Sequence, residues 1–134
     1  MAKTINKLES GRASFAYQCA EGVDKSQKSE YKSYVKKLPM LIKTNGLGSA
    51  KSFYFANSAS DGKVNTKKTY GLVYRHVEDW LKKDNKNLID FEQDKLAKAL
   101  LDLKSYEYRA VTIEVLAFLT WLRRFADGLA PDKE

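Results

Sequence analysis

The stretch SYEYRAVTIEVLAFLTWLRRFAD, residues 105–127, decides the fold. At about 100° per residue, Val111, Ile113, Val115, Leu116, Phe118, Leu119, Trp121 and Leu122 cover nearly the whole circumference of one long helix, a pattern that predicts burial on all sides. Such a helix is either the centre of a helical domain or carries one face that awaits a partner. Gly128 stands at the expected C-cap, and Pro131 follows it.

Shorter amphipathic segments precede it. Asp90-Phe91-Glu92-Gln93 has capping-box form and predicts the start of a fifth helix carrying Leu96, Leu100 and Leu103. A fourth helix is expected over about Thr66 to Lys82, burying Tyr70, Val73, Tyr74, Val77, Trp80 and Leu81, with a charged connection from Lys82 to Asn87. Leu47 to Ala56 reads as a short third helix with Leu47, Ala50, Phe53, Tyr54 and Ala56 on one face, and Asn57 to Gly62 as the most mobile loop. The second helix has the apolar stripe Tyr31, Tyr34, Val35, Leu38, Leu41 and Ile42, starts after the capping-type Asp24 to Gln27, and stops at Asn45-Gly46. Pro39 is expected to kink or split it. The first helix, residues 3–21, sets Ile5, Leu8, Phe15, Ala16 and Cys19 at helical spacing and ends at Gly22.

The chain has 134 residues, room for one domain, with 31% charged residues, 7 Gly and 2 Pro, a balance that favours helices over turn-rich β structure. The expected fold is therefore all-α, a compact bundle of about six helices forming a single domain over residues 1–134. Met1 to Asn6 contains no apolar leader, lone Cys19 cannot form an internal disulfide, and the longest apolar run, Val115 to Leu122, is far short of the ~18 to 20 residues that span a bilayer. A cytoplasmic location without a membrane partner is expected.

Enzyme chemistry finds little material. One histidine, His76, and one cysteine, Cys19, cannot build a metal cage, and no nucleophile–base pair is apparent. His76 reads as a half-buried helix residue and Cys19 as a small core residue. Gly46-Leu47-Gly48-Ser49-Ala50-Lys51-Ser52 has Ala50 where a phosphate-binding loop needs glycine, and no strand precedes it. Asp90, Glu92 and Asp94 suit the positive end of a helix dipole. No catalysis and no cofactor are expected.

Binding features are stronger. The net charge is +7, and residues 1–76 hold fourteen Lys and Arg against five Asp and Glu, whereas the remainder is mildly acidic. Lys28, Lys32, Lys36 and Lys43 fall within an arc of roughly 80° on the second helix, separate from its apolar stripe. Such a ridge can follow a phosphate backbone through point charges that read no bases. Lys68, Arg75 and Lys82 make a weaker stripe, partly neutralised by Glu78 and Asp79. Arg109, Arg123 and Arg124 project at neighbouring angles on the last helix, Arg123 and Arg124 also suiting its negative end. Tyr31, Tyr34, Tyr70 and Tyr74 read as half-buried core rather than as a base-stacking platform.

Two motifs carry a resemblance: Lys37-Leu38-Pro39-Met40-Leu41-Ile42-Lys43-Thr44-Asn45-Gly46-Leu47-Gly48, continuing to Phe53, and Tyr108-Arg109 … Thr112-Ile113-Glu114 … Trp121-Leu122-Arg123-Arg124-Phe125-Ala126. Together they resemble the small helical subunit of the type III-B CRISPR effector, the Cmr complex, from about Tyr31 to Gly128. The Tyr-Arg … Trp-Leu … Arg-Phe-Ala element favours this family over the type III-A small subunit. The resemblance implies a non-catalytic all-α subunit, present in several copies as a minor filament beside the backbone subunits and below the large signalling subunit. It also implies contact with the phosphates of guide RNA and target RNA in antiviral defence. Carried over by position, Lys43, Asn45, Arg109, Arg123 and Arg124 are the RNA-binding candidates, and the charge ridge adds Lys28, Lys32 and Lys36. The competing reading is a structural adaptor that binds proteins and no RNA.

Overall fold

Helix α6, Ser105–Leu129, is the axis of the molecule, with α1, Ala2–Glu21, along one side and α2, Lys28–Asn45, along the other. Helix α3, Leu47–Ala56, and helix α4, Thr69–Lys83, pack on α2, and the short α5, Leu96–Leu100, closes against α3. This computed structural model describes residues 2–83 and 87–131, with side chains from residue 10 onward. Ile5 and Leu8, assigned above to the apolar stripe of the first helix, fall outside the described side chains; of the expected Lys82–Asn87 connection, Lys82 and Lys83 still belong to α4 and residues 84–86 fall outside the described residues.

The all-α expectation holds, with one addition. Asn57 to Gly62 is no simple loop: β1, Ala59–Ser60, pairs antiparallel with β2, Lys63–Val64, across a two-residue turn. Asp61 and Gly62 both take positive φ, 53° and 77°, the backbone that Asp-Gly supplies for a tight hairpin. The hairpin is fixed from both sides. Asp94 accepts the Val64 N–H at 3.0 Å, and α4 crosses so close that a Cβ on Gly71 would lie 2.2 Å from the Asn65 carbonyl oxygen.

Helix α6 is buried on one side only. Val111, Val115, Phe118, Leu119, Leu122 and Ala126 are enclosed, but Ile113 is 67% exposed, and Leu116 and Trp121 are half-buried. Gly128 is not a cap: the helix continues through it to Leu129, and Ala130 turns to extended backbone before Pro131.

Three other boundaries differ from the expectation for identifiable reasons. Pro39 neither splits nor ends α2, which runs unbroken for 18 residues, since a proline removes only its own N–H bond and the buried Leu38 and Ile42 on either side of it hold the helix in the core. Asp24 forms no capping box; the Ser26 hydroxyl donates to its carboxylate at 2.7 Å, and a 3-10 turn over Lys25–Gln27 leads into α2. Helix α5 does not begin at Asp90. Residues 87–95 are irregular, and the cap is supplied from α4, where the Glu78 carboxylate accepts the N–H groups of Asp94 and Leu96 at 2.9 and 3.0 Å and the Tyr74 hydroxyl accepts that of Ala97 at 3.0 Å.

Gly46 alone separates α2 from α3. Its φ of 89° suits glycine, and the adjacent Tyr108 hydroxyl accepts the Gly48 N–H at 2.7 Å, satisfying one of the free donors at the start of α3.

Candidate functional site

Helices α2 and α6 run antiparallel, as the Lys32–Asp127 ion pair at 3.0 Å near one end and the Gly48–Tyr108 bond near the other require. Their buried stripes are Tyr31, Val35, Leu38 and Ile42 on α2 and Val115, Leu119, Leu122 and Ala126 on α6. The residues one position further on, at about 100° round each helix, are Lys32, Lys36, Pro39 and Lys43, and Leu116, Thr120, Arg123 and Asp127. On antiparallel helices packed face to face, equal offsets in the same chain sense emerge on the same side of the pair. The two flanking stripes therefore become the two walls of one groove.

That groove holds a cavity of about 360 Å³ lined by Lys36, Pro39, Lys43, Leu116, Leu119, Thr120, Arg123, Arg124 and Asp127. Its floor is apolar and its rims are cationic. Asp127, the one carboxylate, is engaged by Lys32. Its carboxyl is held below the ordinary range by the Lys32 hydrogen bond and charge and, further off, by the charges of Lys36 and Arg123. The Arg124 guanidinium lies 5.1 Å from the centre of the Trp121 ring, which supports it from below.

Of the eight residues named from sequence, Lys36, Lys43, Arg123 and Arg124 converge on this cavity, and Lys32 stands beside it. Three do not join them. Lys28, half-buried, donates to the Glu21 carbonyl at 3.4 Å, bridging the α1–α2 junction. Asn45 is exposed at the end of α2, and Arg109 is exposed on the second turn of α6, about 21 Å along the axis from Arg123. Arg109 is on the groove side of α6, since its angle matches that of Leu116 and Arg123. Thr120, Leu116 and Asp127 join the site without being sequence candidates, because they flank the apolar stripe without a charge pattern of their own.

The weaker basic stripe is broken in its middle: Lys68, just before α4, and Lys82 are exposed, but Arg75 is engaged inward. Arg75 turns to Asp94 and Glu78, so Asp94 is neither a helix-start acid nor solvated, but an acceptor shared by Arg75 and β2. Tyr34 and Tyr70 are half-buried as read, stacked at 3.9 Å between ring centres, whereas Tyr31 and Tyr74 are fully buried. Cys19 is buried in the core, its thiol pushed up to about 12 by burial. His76 shares a 2.6 Å hydrogen bond with the Tyr31 hydroxyl, and burial, with the charges of Lys51 and Arg75, lowers its pKa to about 4. Lys51, part of the apparent phosphate-loop sequence, is fully enclosed, where its Nζ donates to the Tyr74 carbonyl at 3.2 Å. The groups with the most displaced titration thus lie in the interior, away from the groove.

Among the described residues, no helix is long and apolar enough to cross a membrane. A crystal structure of a CRISPR-associated Cmr5 family protein from Thermus thermophilus superposes with a TM-score of 0.69 at 24% identity, covering 92% of this chain and 97% of that one, which shows a shared fold. The family model described as CRISPR-associated protein (Cas_Cmr5) matches residues 8–129, so the similarity reaches back into α1, beyond the two motifs. On that match the chain belongs to the Cmr5 family of CRISPR-associated proteins, the small subunits of the type III-B Cmr effector complex.

Proposed function

We propose that this small subunit contacts the phosphate backbone of the guide and target RNA through the α2–α6 groove, as a non-catalytic member of a minor filament packed on the backbone subunits. The observation that carries this reading is the convergence of Lys36, Lys43, Arg123 and Arg124, from segments 80 residues apart in the chain, on one cavity with a single, already paired carboxylate. Cations on two antiparallel helices form two parallel rows, and two rows can flank a strand of phosphates, whereas a lone ridge touches it from one side only. Contacts of this kind are weak singly and add along a filament of copies. Work in the cytoplasm, in antiviral defence, and beneath the large signalling subunit belongs to the same proposal.

The test is target-RNA affinity against salt for reconstituted complexes carrying the native subunit or Arg124→Ala. The slope should fall by about 0.7 to 0.9 for each phosphate that is no longer neutralised, multiplied by the number of copies, and should do so equally for unrelated guides. Met40 and Ile113, 72% and 67% exposed, favour the adaptor reading, since large apolar side chains in water mark protein contacts. Under that reading Arg124→Ala leaves the slope unchanged and Ile113→Asp blocks assembly.

A further inference from the structure

A phosphate track needs only cations on a surface. The groove between α2 and α6 has more: a hollow of about 360 Å³, within the ~300 to 1,000 Å³ of small-molecule sites, floored by Pro39, Leu116 and Leu119. Backbone phosphates gain nothing from an apolar floor. The hollow also contains acceptors. The Thr120 hydroxyl donates its hydrogen to the Leu116 carbonyl at 3.0 Å, which leaves its oxygen lone pairs for an incoming donor, and Asp127 offers a carboxylate at the rim. Cations for a phosphate, acceptors for hydroxyl or amino donors, and an apolar surface for a flat ring within one small volume describe a nucleotide.

We infer that the groove is a pocket for one unpaired ribonucleotide of an RNA strand, with the base laid on Pro39 and Leu116 above the buried Leu119, the phosphate on Arg123 and its cationic neighbours, and the sugar hydroxyls toward Thr120 and Asp127. This rests on the RNA reading above and sharpens it, because a flat track would bind every nucleotide of a duplex alike, whereas a pocket selects one that has left the stack. Unstacking costs least where the strand is already unpaired. The site should therefore favour single-stranded positions.

The experiment compares adenosine 5′-monophosphate with ribose 5-phosphate, and a single-stranded oligoribonucleotide with its abasic counterpart, by titration calorimetry on the full chain. The base-containing probe should bind about tenfold tighter in each pair, an increment that burying one face of a base supplies. Thr120 is exposed on α6, so a larger side chain there leaves the core untouched. Thr120→Trp fills the hollow without altering charge and should abolish the base preference in both pairs of probes. Thr120→Arg should raise duplex affinity and lower that of adenosine 5′-monophosphate. Equal binding of the paired probes, or a Thr120→Arg chain that gains affinity for all of them, would overturn the pocket. The RNA reading stands or falls separately: it survives such a result if Arg123→Ala still weakens RNA binding by the assembled complex, and fails with it if that substitution has no effect.

Discussion

Two enclosed side chains should make the stability of this protein depend on pH, and both act through burial. Lys51 sits on α3 with no exposed surface, its Nζ 3.9 Å from the centre of the Tyr74 ring, and burial lowers its pKa to about 7, an effect that Glu78 opposes. In the unfolded chain the same amine keeps its proton to about pH 10.4. Between those values the unfolded state binds the extra proton, so stability rises with pH from about 7 and the gain is absent below it. The melting temperature should climb between pH 7 and 9, and Lys51→Met should flatten that climb. An unchanged slope in the variant would show that Lys51 is charged in the fold. His76 governs the acid side. It stays neutral down to about 4 in the fold but takes a proton near 6.5 when unfolded, so stability is lost as pH falls through that interval. The chain has one histidine, so a proton NMR titration reads it without overlap, and its ring signals should move near pH 4, not near 6.5.

Element ends were the least legible feature of the sequence, and α5 shows why. Asp90-Phe91-Glu92-Gln93 has the residue types of a local cap, yet the donors at the start of α5 are satisfied by Glu78 and Tyr74, at least 16 positions upstream on another helix. A local pattern cannot register a partner that arrives by folding. Glu78→Gln keeps the shape but replaces two equivalent acceptors by one, and should cost about 1 to 3 kcal/mol by denaturant unfolding. Glu92→Ala, at an exposed position, should stay within about 0.5 kcal/mol. A reversed ranking would restore the local cap. The hairpin at 59–64 has the same lesson with the opposite sign: Asp61-Gly62 is a strong local turn signal, but the strands are two residues each and hold only because Asp94 and α4 pin them.

Across the whole molecule, the core is organised round a charge that an apolar pattern does not announce. Glu114, in the middle of α6, is 1% exposed, gripped by Arg12 of α1 through two 2.8 Å bonds and by the Trp80 indole N–H of α4 at 2.9 Å. Three helices thus meet on one carboxylate, which fixes their register, while the Trp80 ring stacks on Phe118 at 5.4 Å. Trp80 is buried, as its place on the fourth helix predicted, whereas Trp121, expected to be enclosed with the rest of the last helix, is half-buried. Trp80→Ala should cost about 3 to 5 kcal/mol, since it opens a cavity and strips a donor from a buried carboxylate. Trp121→Ala should cost clearly less, and equal losses in thermal melts would contradict the packing.

The helices, their order and most of their inward faces were legible because helical periodicity is a local property: Val35, Leu38, Val73, Val77, Val115 and Leu122 declare themselves from their own neighbours. The cationic residues Lys36, Lys43, Arg123 and Arg124 were legible as two separate stripes for the same reason. That the stripes face each other across one hollow was not, because it depends on α2 and α6 lying antiparallel with their buried faces together, a relation between segments 80 residues apart. The same holds for Glu114, Lys51, Asp94 and Glu78. Each is an ordinary charged residue in its local sequence, and each became interior because its partner is supplied by another helix at a distance that only the packed chain defines.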